Sequence, residues 1–241
     1  MFSKSIIYLV PSVLYDTAFK TIPAYIIEAI KSCQVIFAEN ERTARRFLKG
    51  ICKEIVIDNY EWFTIHKAET DQVAVFKKKI SEQKNIAIIS EAGCPGIADP
   101  GQLLVKTAQQ MNVTVRPLVG PSSILLALMA SGLDGQHFQF NGYLPISLQN
   151  RLDKIKMLEE ESGRKKCTQM FIETPYRNNQ IIEAILKSCR PGTQLCIAAE
   201  LTSEHEFIKT KSIEEWRREK IDMHKKPAIF LLLAGEKRIM N

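Results

Sequence analysis

Apolar residues along this chain fall into short continuous runs separated by longer stretches of helical periodicity. The runs 5–10, 35–38, 54–57 and 86–89 are apolar and β-branched enough to be buried strands, and 113–117 reads as a further strand. Between them, 23–32, 41–49, 71–83 and 103–111 have helical spacing; in 71–83, Val73, Phe76 and Ile80 share one face. Strands alternating with helices predict a parallel sheet. Gly120-Pro121-Ser122-Ser123 then opens a helix through Ser131. Beyond it the strands 138–142, 168–172, 194–199, 206–211 and 228–233 come closer together, with helices at 152–161 and 180–188. This spacing predicts a mixed α/β domain with antiparallel strands. The expected division is an N-terminal domain over 1–116 and a C-terminal domain over 117–241.

Composition narrows the class without choosing a function. The 241 residues are 45% apolar and 25% charged, with 11 Gly and 10 Pro, which excludes collagen-like, coiled-coil and wholly disordered chains. Lys plus Arg number 33 against 27 Asp plus Glu, a mild excess compatible with an anionic partner. The six cysteines include no CxxC pair, so neither a zinc ribbon nor a secreted disulfide framework is expected, and a reducing cytoplasm is the default. Residues 1–11 lack a signal-peptide pattern, and runs such as 227–235 fall short of the roughly 18 residues of a membrane span, so no membrane partner is expected.

The most informative segment joins a strand to a loop with three glycines and two prolines: Ser90-Glu-Ala-Gly-Cys-Pro-Gly-Ile-Ala-Asp-Pro-Gly101. In α/β sheets ligands bind at the carboxyl ends of strands, where glycine admits close approach to the backbone. The same residues could merely reverse the chain. The loop matches neither the GxGxxG nor the P-loop pattern. Cys94 lies on a sharp turn, yet none of His66, His137, His205 and His224 stands where a base for a thiol nucleophile would be recognised. The histidines also lack HxxxH spacing, so no metal is expected. Arg42, Arg45, Arg46 and Lys49, at i, i+3, i+4 and i+7, share a helix face suited to phosphates, or to solvent alone.

The 90–101 segment resembles the Ser-Asp-Ala-Gly-Thr-Pro-x-Ile-x-Asp-Pro-Gly signature of the tetrapyrrole methylase superfamily, in particular its ribosomal RNA small-subunit methyltransferase I branch. Further matches follow in order: Tyr8-Leu-Val-Pro11, Ala38-Glu39 with Arg42, Pro117-Leu-Val-Gly-Pro-Ser-Ser123, Ser131-Gly-Leu133, Phe140-Asn-Gly-Tyr-Leu-Pro145, Ile172-Glu-Thr-Pro-Tyr-Arg177 and Glu200-Leu-Thr202. The resemblance covers about residues 5–235. It implies a two-domain α/β fold, with a mostly parallel N-terminal sheet and a mixed C-terminal one, a homodimer, and S-adenosylmethionine in the cleft between the domains.

Carried over by motif, the cofactor residues are Pro11, Ser90, Glu91, Ala92, Gly93, Ile97, Ala98, Ser122, Ser123, Glu173, Thr174, Leu201, Pro227 and Ala228. Backbone amides and apolar walls suit a flat adenine and an amino-acid tail. Glu91 and Glu173 suit the ammonium or sulfonium charge, or are simply solvated. The resemblance implies in-line methyl transfer to a ribose 2′-hydroxyl of ribosomal RNA or the small ribosomal subunit, which needs a base to take the proton. Glu39 and Glu41 are the candidates for that base, with Arg42 positioning phosphate; Glu39 could instead cap the following helix.

The chain also departs from the branch. Pro11-Ser-Val-Leu-Tyr-Asp16 replaces a Gly-containing Thr-Pro-Ile-Gly-Asn loop, Glu39-Asn-Glu-Arg42 replaces Glu-Asp-Thr-Arg, and Pro227-Ala228 looks more like the corrin and porphyrin methylases. A tetrapyrrole acceptor, or a diverged non-catalytic cofactor-binding module, are the alternatives.

Overall fold

A computed structural model describes residues 5–65 and 69–235. His66 and the first four residues of the N-terminal stretch lie outside the described residues. The chain divides into two compact units, Met1–Ser122 and Ser123–Asn241.

Unit 1 is built on a five-stranded parallel sheet: β1 (Ile6–Val10), β2 (Val35–Ala38), β3 (Glu61–Thr64), β4 (Ile86–Ile89) and β5 (Thr114–Pro117), in the order β3-β2-β4-β1-β5. Helices α1 (Tyr25–Lys31), α2 (Glu41–Ile51), α3 (Glu69–Ser81) and α4 (Gln102–Gln110) connect the strands. Every residue of β2 and β4 is buried, because alternate side chains enter two different cores. Ile36, Ala38, Ala87 and Ile89 meet Ile26, Ile30, Phe47 and Leu48 of α1 and α2. Val35, Phe37, Ile86 and Ile88 meet Phe76, Ile80, Leu104 and Ala108 of α3 and α4. Phe37 stacks on Phe63 at 5.0 Å and meets Phe76 edge-on at 5.3 Å.

The expected strand at 54–57 is not formed. Ile55 inserts into the α1/α2 core, a 3-10 turn covers Ile57–Asn59, and the strand is β3, paired with β2 from Val35↔Glu61 to Ala38↔Thr64. As an edge strand with a half-exposed Glu-Trp-Phe-Thr sequence, β3 carries little hydrophobic signal of its own.

Unit 2 contains α5 (Ser123–Ser131), β6 (Phe138–Tyr143), α6 (Leu148–Lys165), β7 (Thr168–Ile172), α7 (Asn178–Ser188), β8 (Gln194–Ala199), β9 (Phe207–Ser212), α8 (Ile213–Trp216) and β10 (Ala228–Leu233). Its sheet runs β6-β7-β10-β8-β9, with β6 and β7 parallel and the other pairs antiparallel, the mixed sheet expected from sequence. The core joins Phe171, Phe230, Leu195 and Ile197 to Ile155, Leu158, Ile181 and Ile185. The expected helix at 152–161 extends further at both ends, and the one at 180–188 starts two residues earlier. The short α8 was not anticipated, and it is fixed by a capping box between Ser212 and Glu215. Among the described residues no helix is long and apolar enough to cross a membrane.

Candidate cofactor and acceptor residues

Because the first sheet is parallel, the carboxyl ends of all its strands lie along one edge, and the sequence motifs of unit 1 follow those ends. Pro11 follows β1, Glu39 follows β2, Ser90 follows β4 and the 118–123 segment follows β5. The loop after β4 is zipped onto the one after β1. The Ser12 N–H donates to the Gly93 carbonyl at 2.8 Å and the Gly93 N–H to the Ser12 carbonyl at 3.2 Å. The buried Ser12 hydroxyl donates to the Ser90 carbonyl at 2.8 Å. Gly93 has φ of +71°, and a Cβ there would meet Leu14 at 3.3 Å. The replacement loop 11–16 is therefore structurally engaged, with Ser12 and Leu14 holding the 90–101 loop.

On the other flank the chain passes so close to Pro11 that a Cβ on Gly120 would lie 2.2 Å from the proline Cγ. Cys94 Sγ lies 3.6 Å from the Pro121 carbonyl, so the loops after β1, β4 and β5 form one assembly.

Three carboxylates collect on this edge. Glu39 Oε2 accepts the Glu91 N–H at 2.9 Å, and Glu91 Oε1 accepts the Thr43 hydroxyl at 3.0 Å. Asp99, which motif matching did not single out, has its pKa pushed up to about 7, first by burial and then by the charges of Glu39 and Glu91. Burial and then Asp99 also raise the Cys94 thiol, which makes it a poor thiolate. An assembly of carboxylates that resists full ionisation fits a cationic ligand, and the open-backbone loop beside it admits a flat one. Ile97 is 54% exposed and Ala98 adopts φ of +63°, leaving both available as wall and backbone contacts. Glu91 and Ala92 are exposed, while Ser122 and Ser123 are partly covered at the start of α5.

The other expected site residues of unit 1 sit on α2. Asn40, not Glu39, caps this helix, its Oδ1 accepting from the Arg42 and Thr43 N–H groups at 3.0 and 3.3 Å. Glu41 Oε1 is held by Arg45 at 2.7 Å. The predicted basic face is partly neutralised within the molecule. Arg45 also approaches Asp58 at 3.7 Å and lies over Trp62 at 4.9 Å, and Arg46 pairs with Asp16 at 3.2 Å. The exposed Arg42 makes no side-chain ion pair among the described residues.

In unit 2 the motifs again share one end of a sheet. The register Ile229↔Ile172 and Ala228↔Ala199 brings Glu173 after β7, Glu200-Leu-Thr202 after β8 and Pro227-Ala228 at the start of β10 to that end. The Glu200 N–H donates to the Pro227 carbonyl at 2.9 Å. Glu173 is buried. Its Oε1 accepts from the Thr174 N–H at 2.7 Å, the Thr174 hydroxyl at 3.3 Å and Arg177, while Oε2 is buried without a partner. Thr202 Oγ1 is a second such orphan, and Thr202 is held at φ of +71°, costly for a β-branched residue. Leu201 is buried, and Pro227 and Thr174 are exposed. Two unpaired buried oxygens on a strained end of the sheet fit a polar ligand that supplies their partners. The signal for Thr202 was in the sequence, within Glu200-Leu-Thr202, but its strain was not.

The family model described as Tetrapyrrole (Corrin/Porphyrin) Methylases matches residues 21–216. This chain belongs to the tetrapyrrole methylase family. The methylase is accordingly an S-adenosylmethionine-dependent methyltransferase. Two of its relatives bear the name ribosomal RNA small subunit methyltransferase I. The one from Buchnera aphidicola subsp. Schizaphis graminum is 31% identical over 240 residues, spanning 98% of this chain and 80% of the relative. The one from Escherichia coli O157:H7 is 31% identical over 241 residues, spanning 98% and 79%. Among solved structures, diphthine synthase matches with a TM-score of 0.68 at 14% identity, covering 95% of this methylase and 89% of that chain. The methyltransferase CobJ matches with a TM-score of 0.65 at 14% identity, covering 99% and 98%. At such identity these two establish the fold alone.

Proposed function

We propose that this methyltransferase modifies a ribose 2′-hydroxyl of small-subunit ribosomal RNA, with Asp99 taking the hydroxyl proton. The reading is carried by the ribosomal RNA methyltransferase name of relatives 31% identical along almost the whole chain, and the crowding of part-buried Asp99 with Glu39 and Glu91 offers it a base. A hydroxyl acceptor must lose a proton as it is methylated, and a base poised near neutrality suits that step. Methylation of an electron-rich tetrapyrrole carbon also releases a proton, from the cation that forms, but needs no strong base to make the carbon nucleophilic. Glu39 stands beside Asp99 as a second candidate for the base, and Glu41, engaged by Arg45, orders α2. Arg42 is the proposed phosphate contact.

Bound S-adenosylmethionine would supply an electrophilic methyl on a sulfonium centre. The candidate contacts in unit 1 are the backbone of 90–93 with Pro11, Ile97, Ala98 and Ser122, and those in unit 2 are Ser123, Glu173, Thr174, Leu201, Pro227 and Ala228. Glu91 and the unpartnered Glu173 oxygen are the acceptors for its positive charges. We also propose a cytoplasmic homodimer. Leu125 and Met129, one turn apart on α5, are 53% and 79% exposed, an apolar pair of the kind that partners cover. Light scattering should give twice the 27.4 kDa chain mass; the single mass contradicts the dimer.

The deciding experiment is transfer of label from S-adenosylmethionine. Small ribosomal subunits from cells lacking the protein should acquire a 2′-O-methyl nucleoside. The Pro227-Ala228 pair favours the second reading, and methylation of a porphyrinogen or precorrin but not of ribosomal subunits would establish it instead.

A further inference from the structure

Outside the residues already assigned, Tyr176, His224 and Lys225 form an ordered and exposed cluster on unit 2. Tyr176 belongs to the 3-10 turn Pro175–Arg177 that follows β7 and is 67% exposed. His224 meets its ring edge to face, with centroids 5.9 Å apart and planes at 74°. Lys225 Nζ lies over the ring, 5.9 Å from its centroid.

The segment that brings His224 and Lys225 to the tyrosine is clamped from beneath. The fully buried Asn178 donates its Nδ2 to the carbonyls of Met223 at 3.2 Å and Lys226 at 2.6 Å. Asn179 accepts the Met223 N–H at 2.8 Å and donates to Asp222 Oδ1 at 2.8 Å, and that oxygen also accepts the His224 N–H at 3.0 Å. The Lys225 N–H donates to the Pro175 carbonyl at 3.0 Å, and Lys225 itself is held at φ of +61°. Lys226 pairs with Glu200 at 3.4 Å. Core packing does not require this arrangement, since the ring it frames faces solvent. It yields a flat, fixed aromatic surface with a cation at hand, at the same end of the second sheet as Glu173 and Glu200.

A rigid aromatic face beside a lysine is the chemistry that receives an unstacked nucleobase and its phosphate. We propose that Tyr176, oriented by His224 and flanked by Lys225, is a stacking platform for an unpaired base of the acceptor RNA, with Lys225 meeting the adjoining phosphate. This inference rests on the ribosomal RNA reading above. Stacking on an aromatic ring needs only a π-face, so the platform positions a single-stranded segment without reading its sequence.

The test uses the full-length protein and labelled single-stranded oligonucleotides tiled over the small-subunit rRNA, read by fluorescence anisotropy. Y176A should weaken the tightest complex about 5- to 150-fold, and Y176F should stay within about twofold of the parent. Tyr176→Leu, which keeps bulk without a π-face, should behave like Y176A. Calorimetric affinity for S-adenosylmethionine should be the same in all variants, which verifies their folding. An abasic scan of the oligonucleotide should find one position whose base removal weakens the parent by a similar factor and leaves Y176A unaffected. If the parent binds RNA and Y176A binds equally well, or if every abasic site weakens both proteins alike, the platform is refuted while the RNA reading stands. If the parent neither binds nor methylates RNA, both fall together.

Discussion

Replacing Asp99 by asparagine should make the protein more stable in alkali while removing its activity. The unfolded chain releases this proton near 3.8, and the folded one holds it to about 7. Between those values the folded state binds more proton, so stability falls as pH rises through the window and is flat above it. At 1.36 kcal/mol per pH unit the interval sets a ceiling of about 4 kcal/mol, and partial exposure of Asp99 reduces the expected cost to about 2 kcal/mol. The asparagine side chain carries no charge against Glu39 and Glu91. D99N should therefore match the parent near pH 4 and exceed it by about 2 kcal/mol at pH 8.

Urea titration followed by fluorescence is suited to the measurement, because one of the two tryptophans, Trp62, reports on unit 1 and the other, Trp216, on unit 2. In parallel, methyl transfer to small subunits by the parent should rise through pH 7 as Asp99 ionises. In D99N it should fall by about two to four orders of magnitude at every pH. Equal stability of the two proteins at pH 8 would refute the account of the elevated proton affinity. Retained activity in D99N would refute Asp99 as proton acceptor.

Two further substitutions probe the frame around the candidate site. G120A should weaken S-adenosylmethionine binding by calorimetry and lower the melting temperature of unit 1, because the added Cβ at 2.2 Å from Pro11 forces apart the loops after β1 and β5; unchanged affinity would separate those loops from the cofactor. R177A leaves the carboxylate of Glu173 buried without its ion pair and should cost about 3–5 kcal/mol in unit 2, with R177A/E173Q recovering much of it in the same urea titration.

The sequence by itself determined those features whose physical cause is local. The runs at 35–38 and 86–89 are apolar throughout because they are buried on both faces, and that signal needs no partner strand to be read. Segment 71–83 declared its buried face through Val73, Phe76 and Ile80, and the ordered motifs from Tyr8 to Thr202 carried the family and the methyltransferase activity. The capping box at Ser212 and Glu215 is equally local, a Ser-x-x-Glu signal present in the sequence although no helix was expected there.

What tertiary structure decided depends on residues distant in the chain. β3 is a strand because β2 offers it hydrogen bonds, so its own half-exposed residues gave no indication. The spacing that puts Arg45 and Arg46 on one helix face could not reveal that Asp58 and Asp16 wait beside them, and so overstated the charge free to meet a polyanion. Asp99 reads in sequence as an ordinary loop aspartate. Its affinity for a proton arises from lost solvation, from Glu39 at the end of β2 and from Glu91 earlier in its own loop, and charges and solvent exposure act through space.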